Sequence, residues 1–168
     1  RLKLQISTAV TGIAVCHYYL MITSPEKVVS YRYLDWFFTT PLLLVDLCLS
    51  YKITDFNFIS KILVYNTFML TFGFLGEINY LGTYTSMAIG FAPMLAIFYK
   101  LYNRMEKTEE NKKLFKFFFV IWSCYGLVFP LNNKETRNLS YNVLDIISKG
   151  GFGCYLYYKS WINQKQLN

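Results

Sequence analysis

Long apolar stretches alternate with short polar breaks along the whole chain. Six of these stretches have helix-like length, and they cover residues 2–23, 28–51, 56–76, 80–102, 114–131 and 139–161. An apolar helix of about 20 residues crosses the hydrocarbon core of a bilayer. The pattern therefore predicts an all-α membrane protein, folded as a single transmembrane domain over residues 1–168.

Charge is scarce and unevenly distributed. Charged residues make up 16% of the chain and hydrophobic residues 54%, whereas soluble domains carry about 25% charged residues. If the chain begins on the cytoplasmic side, only Lys27, Lys134 and Arg137 of the loop cations lie outside. The cytoplasmic cations are then Arg1, Lys3, Lys52, Lys61, Lys100, Arg104, Lys107, Lys112, Lys113, Lys116, Lys159 and Lys165. Such a bias predicts a multi-pass protein with a cytoplasmic C-terminus, and it explains the net charge of +7 without nucleic acid.

The second apolar stretch contains ionisable residues where a membrane helix usually has none. Residues 32–46 read RYLDWFFTTPLLLVD. Asp35 and Asp46 are about three helical turns apart, roughly 16 Å along the axis, so both point to one face. Arg32 and Thr39 lie one turn before and one turn after Asp35. Because a charge inside a membrane is costly, these residues indicate a functional site, and the two acids are spaced like stations on a proton path.

A second polar group lies in the last apolar stretch. Residues 142–153 read NVLDIISKGGFG, and Asp145 and Lys149 are four positions apart. This spacing places acid and amine side by side on one helix face. A desolvated lysine can form a Schiff base with an aldehyde. Its positive charge would need a counter-ion, which Asp145, or Asp35 from the other helix, can supply.

These two groups together resemble the signature of microbial (type I) rhodopsins. The resemblance rests on RYxDWxxTxPLLLxxD followed much later by LDxxxKxGFG, and it extends from Leu2 to Trp161. The segments VTGIAVCHY at 10–18 and LTFGFLGE at 70–77 are most similar to the proteorhodopsin-like proton pumps. Richness in Phe, Tyr, Lys, Asn and Ile, with a short link after the first span, fits a viral or protist member.

The resemblance implies a seven-transmembrane-helix rhodopsin bundle, of which this chain contains family helices two to seven. We interpret the missing first helix as a truncation. The family resemblance further implies a photoreceptor and ion transporter rather than an enzyme. It would sit in a lipid bilayer, bind all-trans retinal, move protons and assemble as a homo-oligomer, from trimer to pentamer.

The resemblance also assigns roles to the buried polar residues. Lys149 would carry retinal as a protonated Schiff base, and Asp35 would be the primary counter-ion and proton acceptor. Asp145 would be the second counter-ion. Arg32 would balance the two carboxylates and bridge toward the outer exit, while Thr39 would hydrogen-bond Asp35.

Two further assignments concern the proton path. His17, the sole histidine, would pair with Asp35 and couple its titration to that carboxylate. Asp46 would be the cytoplasmic proton donor, because its apolar neighbours favour a protonated carboxyl group. Glu77 and Glu135 are the candidate carboxylates near the outer exit. Glu77 matches a glutamate of the proteorhodopsins, whereas Glu135 is out of register, and we expect late or direct proton release without a dedicated pair.

The remaining assignments describe a retinal pocket built from several helices. Its expected members are Tyr18, Trp36, Thr40, Leu43, Asn66, Met69, Gly73, Gly90, Met94, Trp122, Tyr125, Phe129 and Ser148. Three positions depart from the usual family residues. Gly126 replaces a common proline, Phe129 replaces a tryptophan or tyrosine, and Asn66 stands where bacteriorhodopsin has a carboxylate.

Among functions, an outward light-driven proton pump fits best, because Asp35, Thr39 and Asp46 supply an acceptor, a threonine and a donor. A light-gated cation channel is the alternative. Such channels usually carry glutamates along the family's second helix, and residues 2–23 contain no carboxylate. A sensory rhodopsin is a further alternative, although those often lack a carboxylate donor.

Overall fold

The computed structural model describes residues 2–165, and within them it contains helices and turns but no strand. Arg1, which the charge analysis places on the cytoplasmic side, lies outside the described residues, as do residues 166–168. The α-helices are α1 (Leu2–Thr23), α2 (Val28–Ser50), α3 (Phe56–Glu77), α4 (Thr83–Arg104), α5 (Glu109–Val128), α6 (Lys134–Asp145) and α7 (Phe152–Lys165). A 3₁₀ turn at Pro25–Lys27 joins α1 to α2, and a π-helical segment at Ile146–Gly151 joins α6 to α7.

The helices α6 and α7 form one continuous rod. The junction residues Ile146 and Phe152 both have right-handed helical dihedral angles. The described chain therefore builds six rods, which confirms the all-helical architecture predicted from the apolar pattern. We call the end that holds residues 2 and 165 the inner end, and the end that holds Pro25–Lys27 the outer end.

Side-chain caps set several helix ends, and they move those ends away from the limits of the apolar stretches. Thr108 caps α5 by accepting the Asn111 N–H at 3.2 Å, so this helix starts five residues before residue 114. Asn133 caps α6 through the Thr136 N–H at 2.9 Å. Such caps satisfy backbone donors that the helix itself leaves free. Hydropathy predicts where a rod lies, whereas polar caps decide where it begins.

Three of the described helices are long and apolar enough to cross a membrane by length and composition alone. They are Leu2–Thr23, Pro25–Ser50 and Phe56–Glu77. The remaining rods are more polar, since α5 opens with Glu109 and Glu110 and α6 with Lys134 and Glu135. Many large apolar side chains nevertheless face outward on these rods too, including Leu95, Val120 and Ile146. Exposed apolar surface of this extent is what a lipid-facing protein presents.

The bundle has two buried clusters at different levels. The larger one joins the leucines of α2 to Phe98 of α4, Phe118 and Trp122 of α5, and Phe152 of α7. Phe118 and Phe152 meet edge to face with ring centroids 4.8 Å apart, a favoured aromatic arrangement. The smaller cluster, nearer the outer end, contains Tyr33, Trp36, Leu70 and Tyr141. The ionisable residues of α2 and of the α6–α7 rod are placed by these clusters.

At the inner end, α5 and α7 are joined by polar side chains. Glu110 Oε1 accepts hydrogen bonds from Lys159 Nζ and Tyr155 Oη, both at 2.5 Å. The bonds from Lys159 and then Tyr155 lower the pKa of the Glu110 carboxyl. This link joins the two helices closer to the inner end than the contact between Phe118 and Phe152.

Candidate functional site

Lys149 lies between two buried carboxylates. Its Nζ donates a short hydrogen bond to Asp35 Oδ2 and a second one, of 3.3 Å, to Asp145 Oδ2. Lys149 is 5% exposed, Asp145 2% and Asp35 fully buried. The π-helical segment carries Lys149, and such segments frequently mark functional sites. Two acids and one amine thus share a buried site, where a positive nitrogen is stabilised by ion pairing.

Asp145 is the more fully hydrogen-bonded of the two acids. It accepts hydrogen bonds from Tyr18 Oη at 2.8 Å, Trp36 Nε1 at 3.1 Å and Tyr125 Oη at 2.5 Å. Tyr125 is in turn 3.1 Å from Ser148 Oγ. Helices α1, α2 and α5 therefore each contribute a hydrogen-bond donor to one carboxylate. This network fixes the position of Asp145.

Asp35 has a different environment. Its Oδ1 has no hydrogen-bond partner among the described residues. His17 Nδ1 lies 3.8 Å from this oxygen and 2.9 Å from the backbone carbonyl of Ile13. Since a hydrogen bond needs a shorter distance than 3.8 Å, His17 is a close neighbour of Asp35 and bonds Ile13 instead. The free oxygen of Asp35 can accept a proton or a further hydrogen bond.

Thr39 hydrogen-bonds Asp35 through its backbone, whereas Arg32 contacts neither of the two carboxylates. Thr39 Oγ1 donates to the backbone carbonyl of Asp35 at 2.8 Å. Arg32 Nη1 donates to Asn142 Oδ1 at 2.9 Å. Within residues 2–165, no ion pair joins Arg32 to Asp35 or Asp145 within 4.0 Å. Arg32 is therefore not directly paired with either carboxylate.

Asp46 stands apart from the other charges. It is fully buried, and neither of its carboxylate oxygens has a hydrogen-bond partner in the described part of the chain. Leu43, Leu44 and Leu47 beside it on α2 are also buried. Because an unpaired buried carboxylate is very unfavourable, the neutral protonated form is expected here. The residue can thus store a proton.

A cavity of about 120 Å³ opens beside Lys149, and its wall is mostly apolar, as is typical of ligand pockets. Most of the residues assigned to the retinal pocket line it. These are Trp36, Thr40, Leu43, Met69, Gly73, Gly90, Met94, Trp122, Tyr125, Phe129 and Ser148, together with Asp145 and Lys149. Asn66 and Tyr18 do not line the cavity. Asn66 Nδ2 donates to Thr40 Oγ1 at 2.8 Å, and Tyr18 bonds Asp145.

Several lining residues escaped the sequence reasoning. They are Tyr33, Leu70, Ser86, Met87, Phe91, Gly126 and Tyr141. Helical spacing would have indicated some of them, since Ser86 and Met87 precede Gly90 by one turn on α4. Gly126 was noted only as a departure from proline. A Cβ atom at that position would overlap the ring of Phe91, so the glycine leaves room for this ring at the cavity wall.

Comparisons with known proteins find relatives and solved structures that are similar to most of this chain. The green-light absorbing proteorhodopsin of gamma-proteobacterium EBAC31A08 is 26% identical over 179 residues, which cover 92% of this chain and 72% of that protein. The bacteriorhodopsin of Halobacterium salinarum is 32% identical over 143 residues, covering 74% of this chain and 54% of that protein. The crystal structure of the viral rhodopsin OLPVRII has a TM-score of 0.87 and 31% identity, covering 95% of this chain and 83% of that one.

The match to the family as a whole is equally extensive. The sequence model described as bacteriorhodopsin-like protein matches residues 2–163. Rhodopsins of this family are integral membrane photoreceptors and ion pumps whose chromophore is retinal. The six helical rods are consistent with the fold of that family. The chain therefore belongs to the bacteriorhodopsin-like family of microbial rhodopsins and supplies six helices of its seven-helix bundle.

Proposed function

We propose that this protein is a light-driven outward proton pump with all-trans retinal bound as a protonated Schiff base to Lys149. The observation that carries the proposal is the position of Lys149 Nζ. It lies against Asp35 and 3.3 Å from Asp145, and Lys149 also lines the apolar cavity. This one arrangement provides two counter-ions for a bound cation and, beside them, a pocket for a long apolar group.

The residues present fit retinal. The cavity is lined mainly by aromatic and apolar side chains, among them Trp36, Met94 and Trp122. Gly73 keeps the wall open, because a Cβ there would stand 2.9 Å from Tyr33 Oη. Retinal would supply absorption of visible light and an isomerisation that changes the surroundings of the nitrogen proton.

Asp35 is the residue we assign as proton acceptor. Its Oδ1 is free, whereas Asp145 already accepts hydrogen bonds from Tyr18, Trp36 and Tyr125. A carboxylate that accepts several hydrogen bonds takes up a proton less readily, because those bonds stabilise its charged form. The proton that leaves the Lys149 nitrogen is therefore expected on Asp35.

Asp46 is the residue we assign as proton donor. It is on the same helix as Asp35, roughly 16 Å further toward the inner end. Its oxygens are buried and without partners in the described residues. A proton stored on Asp46 can pass to the Lys149 nitrogen from the side opposite to the acceptor. Transport then has a direction, because acceptor and donor lie on different sides of the nitrogen.

The orientation and assembly complete the proposal. The inner end carries most of the loop lysines and arginines, so we assign it to the cytoplasm, together with the C-terminus. Residues 1–168 are assigned to one transmembrane retinal-binding domain in the bilayer. The family resemblance supports a homo-oligomer, from trimer to pentamer.

The test is a light-induced pH change in cells that express the protein and receive retinal. Illumination should acidify the medium, and a protonophore should abolish the change. Lys149→Ala cells should show no response. Light-driven currents that reverse sign with membrane voltage would instead identify a channel, and a pigment without pH change or current would point to a sensor.

A further inference from the structure

The inner end of the bundle has more cations than acids, and its acids are already paired. In the described chain, each acid of this end lies 2.5–3.5 Å from a lysine or arginine nitrogen. The pairs are Asp55 with Arg104, Glu106 with Lys52, Glu109 with Lys112 and Glu110 with Lys159. Lys61 of α3 and Lys100 of α4 form no ion pair with any described residue. These two lysines therefore carry positive charge that the described protein does not balance.

Tyr65 brings the two unpaired lysines to one place on the surface. The Nζ atom of Lys100 lies 5.7 Å from the centroid of the Tyr65 ring, which is within the range of a cation–π interaction. This contact joins α4 to α3, and the two helices pack against each other. Lys61 precedes Tyr65 by one turn of α3, and residues four positions apart share a helix face. We call Lys61, Tyr65 and Lys100 together the α3–α4 lysine site.

The α3–α4 lysine site lies at the depth of lipid headgroups. Lys61 is five residues from the start of α3, and Lys100 is four residues from the end of α4. At 1.5 Å per residue, both are roughly 6–8 Å from the inner ends of their helices. Lysines at this depth extend their ammonium groups to the polar edge of a bilayer. Deeper in the membrane, the same two helices expose the apolar side chains of Val64, Phe68 and Leu95.

We propose that the α3–α4 lysine site binds an anionic phospholipid of the leaflet at the inner end. The lipid phosphate lies between the ammonium groups of Lys61 and Lys100, and Tyr65 keeps Lys100 beside α3. The acyl chains follow the apolar side chains that both helices expose below the lysines. A charged headgroup above apolar chains matches this order of charged and apolar surface.

Two other occupants fit the site less well. A second copy of this chain has no unpaired acid to offer from the described residues of its inner end, because each of those acids already pairs with a cation. A soluble anion would match the lysines but not the exposed apolar surface that continues below them. An anionic phospholipid accounts for both features, and juxtamembrane lysines are attracted to anionic lipids in general.

The experiment is a lipid titration of the full chain in a non-ionic detergent, with bound lipid counted by native mass spectrometry. Phosphatidylglycerol is the anionic probe, and phosphatidylcholine with the same acyl chains is the zwitterionic comparison. Lys61→Gln and Lys100→Gln should each weaken binding of the first phosphatidylglycerol by about five-fold, and the double variant by about 25-fold. Binding of phosphatidylcholine should stay close to wild type.

Two further variants separate the site from general surface charge. Tyr65→Leu keeps both lysines but removes the ring beside Lys100, so it should weaken phosphatidylglycerol binding by less than Lys100→Gln does. Lys113→Gln is the matched control, because it removes an exposed lysine of α5 at the same end. It should leave the affinity for phosphatidylglycerol unchanged. Circular dichroism of each variant checks that the helices are intact.

Several results would overturn the proposal. Equal binding of the two lipids by wild type would mean that no site for an anionic lipid exists. If Lys113→Gln weakens binding as much as Lys61→Gln, the attraction is spread over the inner surface. Competition by glycerol phosphate at the same concentration as the lipid would identify a soluble anion as the occupant. If the variants change the mass of the assembly but not lipid binding, the site joins copies of the chain. The measurement needs neither retinal nor light, so it stands or fails independently of the proposed pump.

Discussion

Asp35 and Asp46 are identical side chains on one helix, both fully buried, and their surroundings have little in common. Asp35 faces Lys149, Asp145 and His17, whereas Asp46 is surrounded by leucines and has no hydrogen-bond partner in the described chain. The Lys149 amine beside Asp35 favours the ionised form of that acid, and the apolar surroundings of Asp46 favour a protonated one. The comparison teaches that the surroundings, rather than the residue type, distinguish the proposed acceptor from the proposed donor three turns away on the same helix.

Removing the cation beside Asp35 should have the largest effect. Lys149→Ala deletes the nitrogen that pairs with both acids and to which retinal would attach. The variant should be produced in the membrane yet bind no retinal covalently, so its visible absorption should be lost. Absorption spectra before and after hydroxylamine treatment measure this. A retained visible pigment that resists hydroxylamine would contradict the assignment of Lys149.

The next effect should come from neutralising the acceptor. Asp35→Asn preserves the size of the side chain but removes the negative charge beside the nitrogen. Absorption should shift to longer wavelength, and light-driven acidification should stop. Pumping at the wild-type rate would show that another group takes the proton. Glu135→Gln, which removes an exposed acid, serves as the control and should behave like wild type.

Neutralising the donor should be less severe. In Asp46→Asn, the intermediate with a deprotonated nitrogen should still form but decay about a hundred-fold more slowly, as expected when a positioned acid–base group is lost. Its decay should slow further as the pH rises, because the protons then come from bulk water. Flash spectroscopy at several pH values measures this, and azide should restore the rate. Fast decay that ignores pH would remove Asp46 from the path.

The histidine should have a smaller influence on the same comparison. His17→Asn removes the ring that stands 3.8 Å from the free oxygen of Asp35, without touching Asp46. The pH midpoint of the change in visible absorption in the dark should move, whereas the decay measured for Asp46 should stay close to wild type. An unmoved midpoint would mean that His17 only packs against Asp35 and Phe38.

The smallest effect concerns Glu110, an acid at the surface. If its partners are lost, water can stabilise most of the carboxylate charge in their place. Lys159 and Tyr155 lower the pKa of Glu110, so its stabilising contribution is present above the ordinary carboxyl range and is lost as the pH falls through it. Glu110→Gln should lower stability at neutral pH by about 0.2–1 kcal/mol, as for other exposed ion pairs. Thermal unfolding at neutral and acidic pH tests this, since wild type and variant should converge in acid.

The sequence predicts which residues gather at the site better than it predicts which of their atoms bond. Asp145 and Lys149 share a helix, so their four-residue spacing is enough to place them together. Arg32 and Asn142 are on different rods, and nothing in the order of residues indicates that they bond. The same holds for Phe91 and Gly126, whose steric relation depends on how α4 packs against α5. Helix periodicity determines which side chains share a face, whereas packing between rods decides which faces meet.

The π-helical segment around Lys149 also sets the directions in which the side chains of α7 point. Its wider turn takes in extra chain, so the residues of α7 face directions they would not have in an uninterrupted α-helix. Each residue of an α-helix turns the chain by about 100°. Deleting one glycine of the Gly150–Gly151 pair would thus rotate everything beyond Lys149 by roughly that angle. Tyr155 and Lys159 would swing away from Glu110, so the irregular turn that seats the lysine also keeps the far end of the same rod in register with α5.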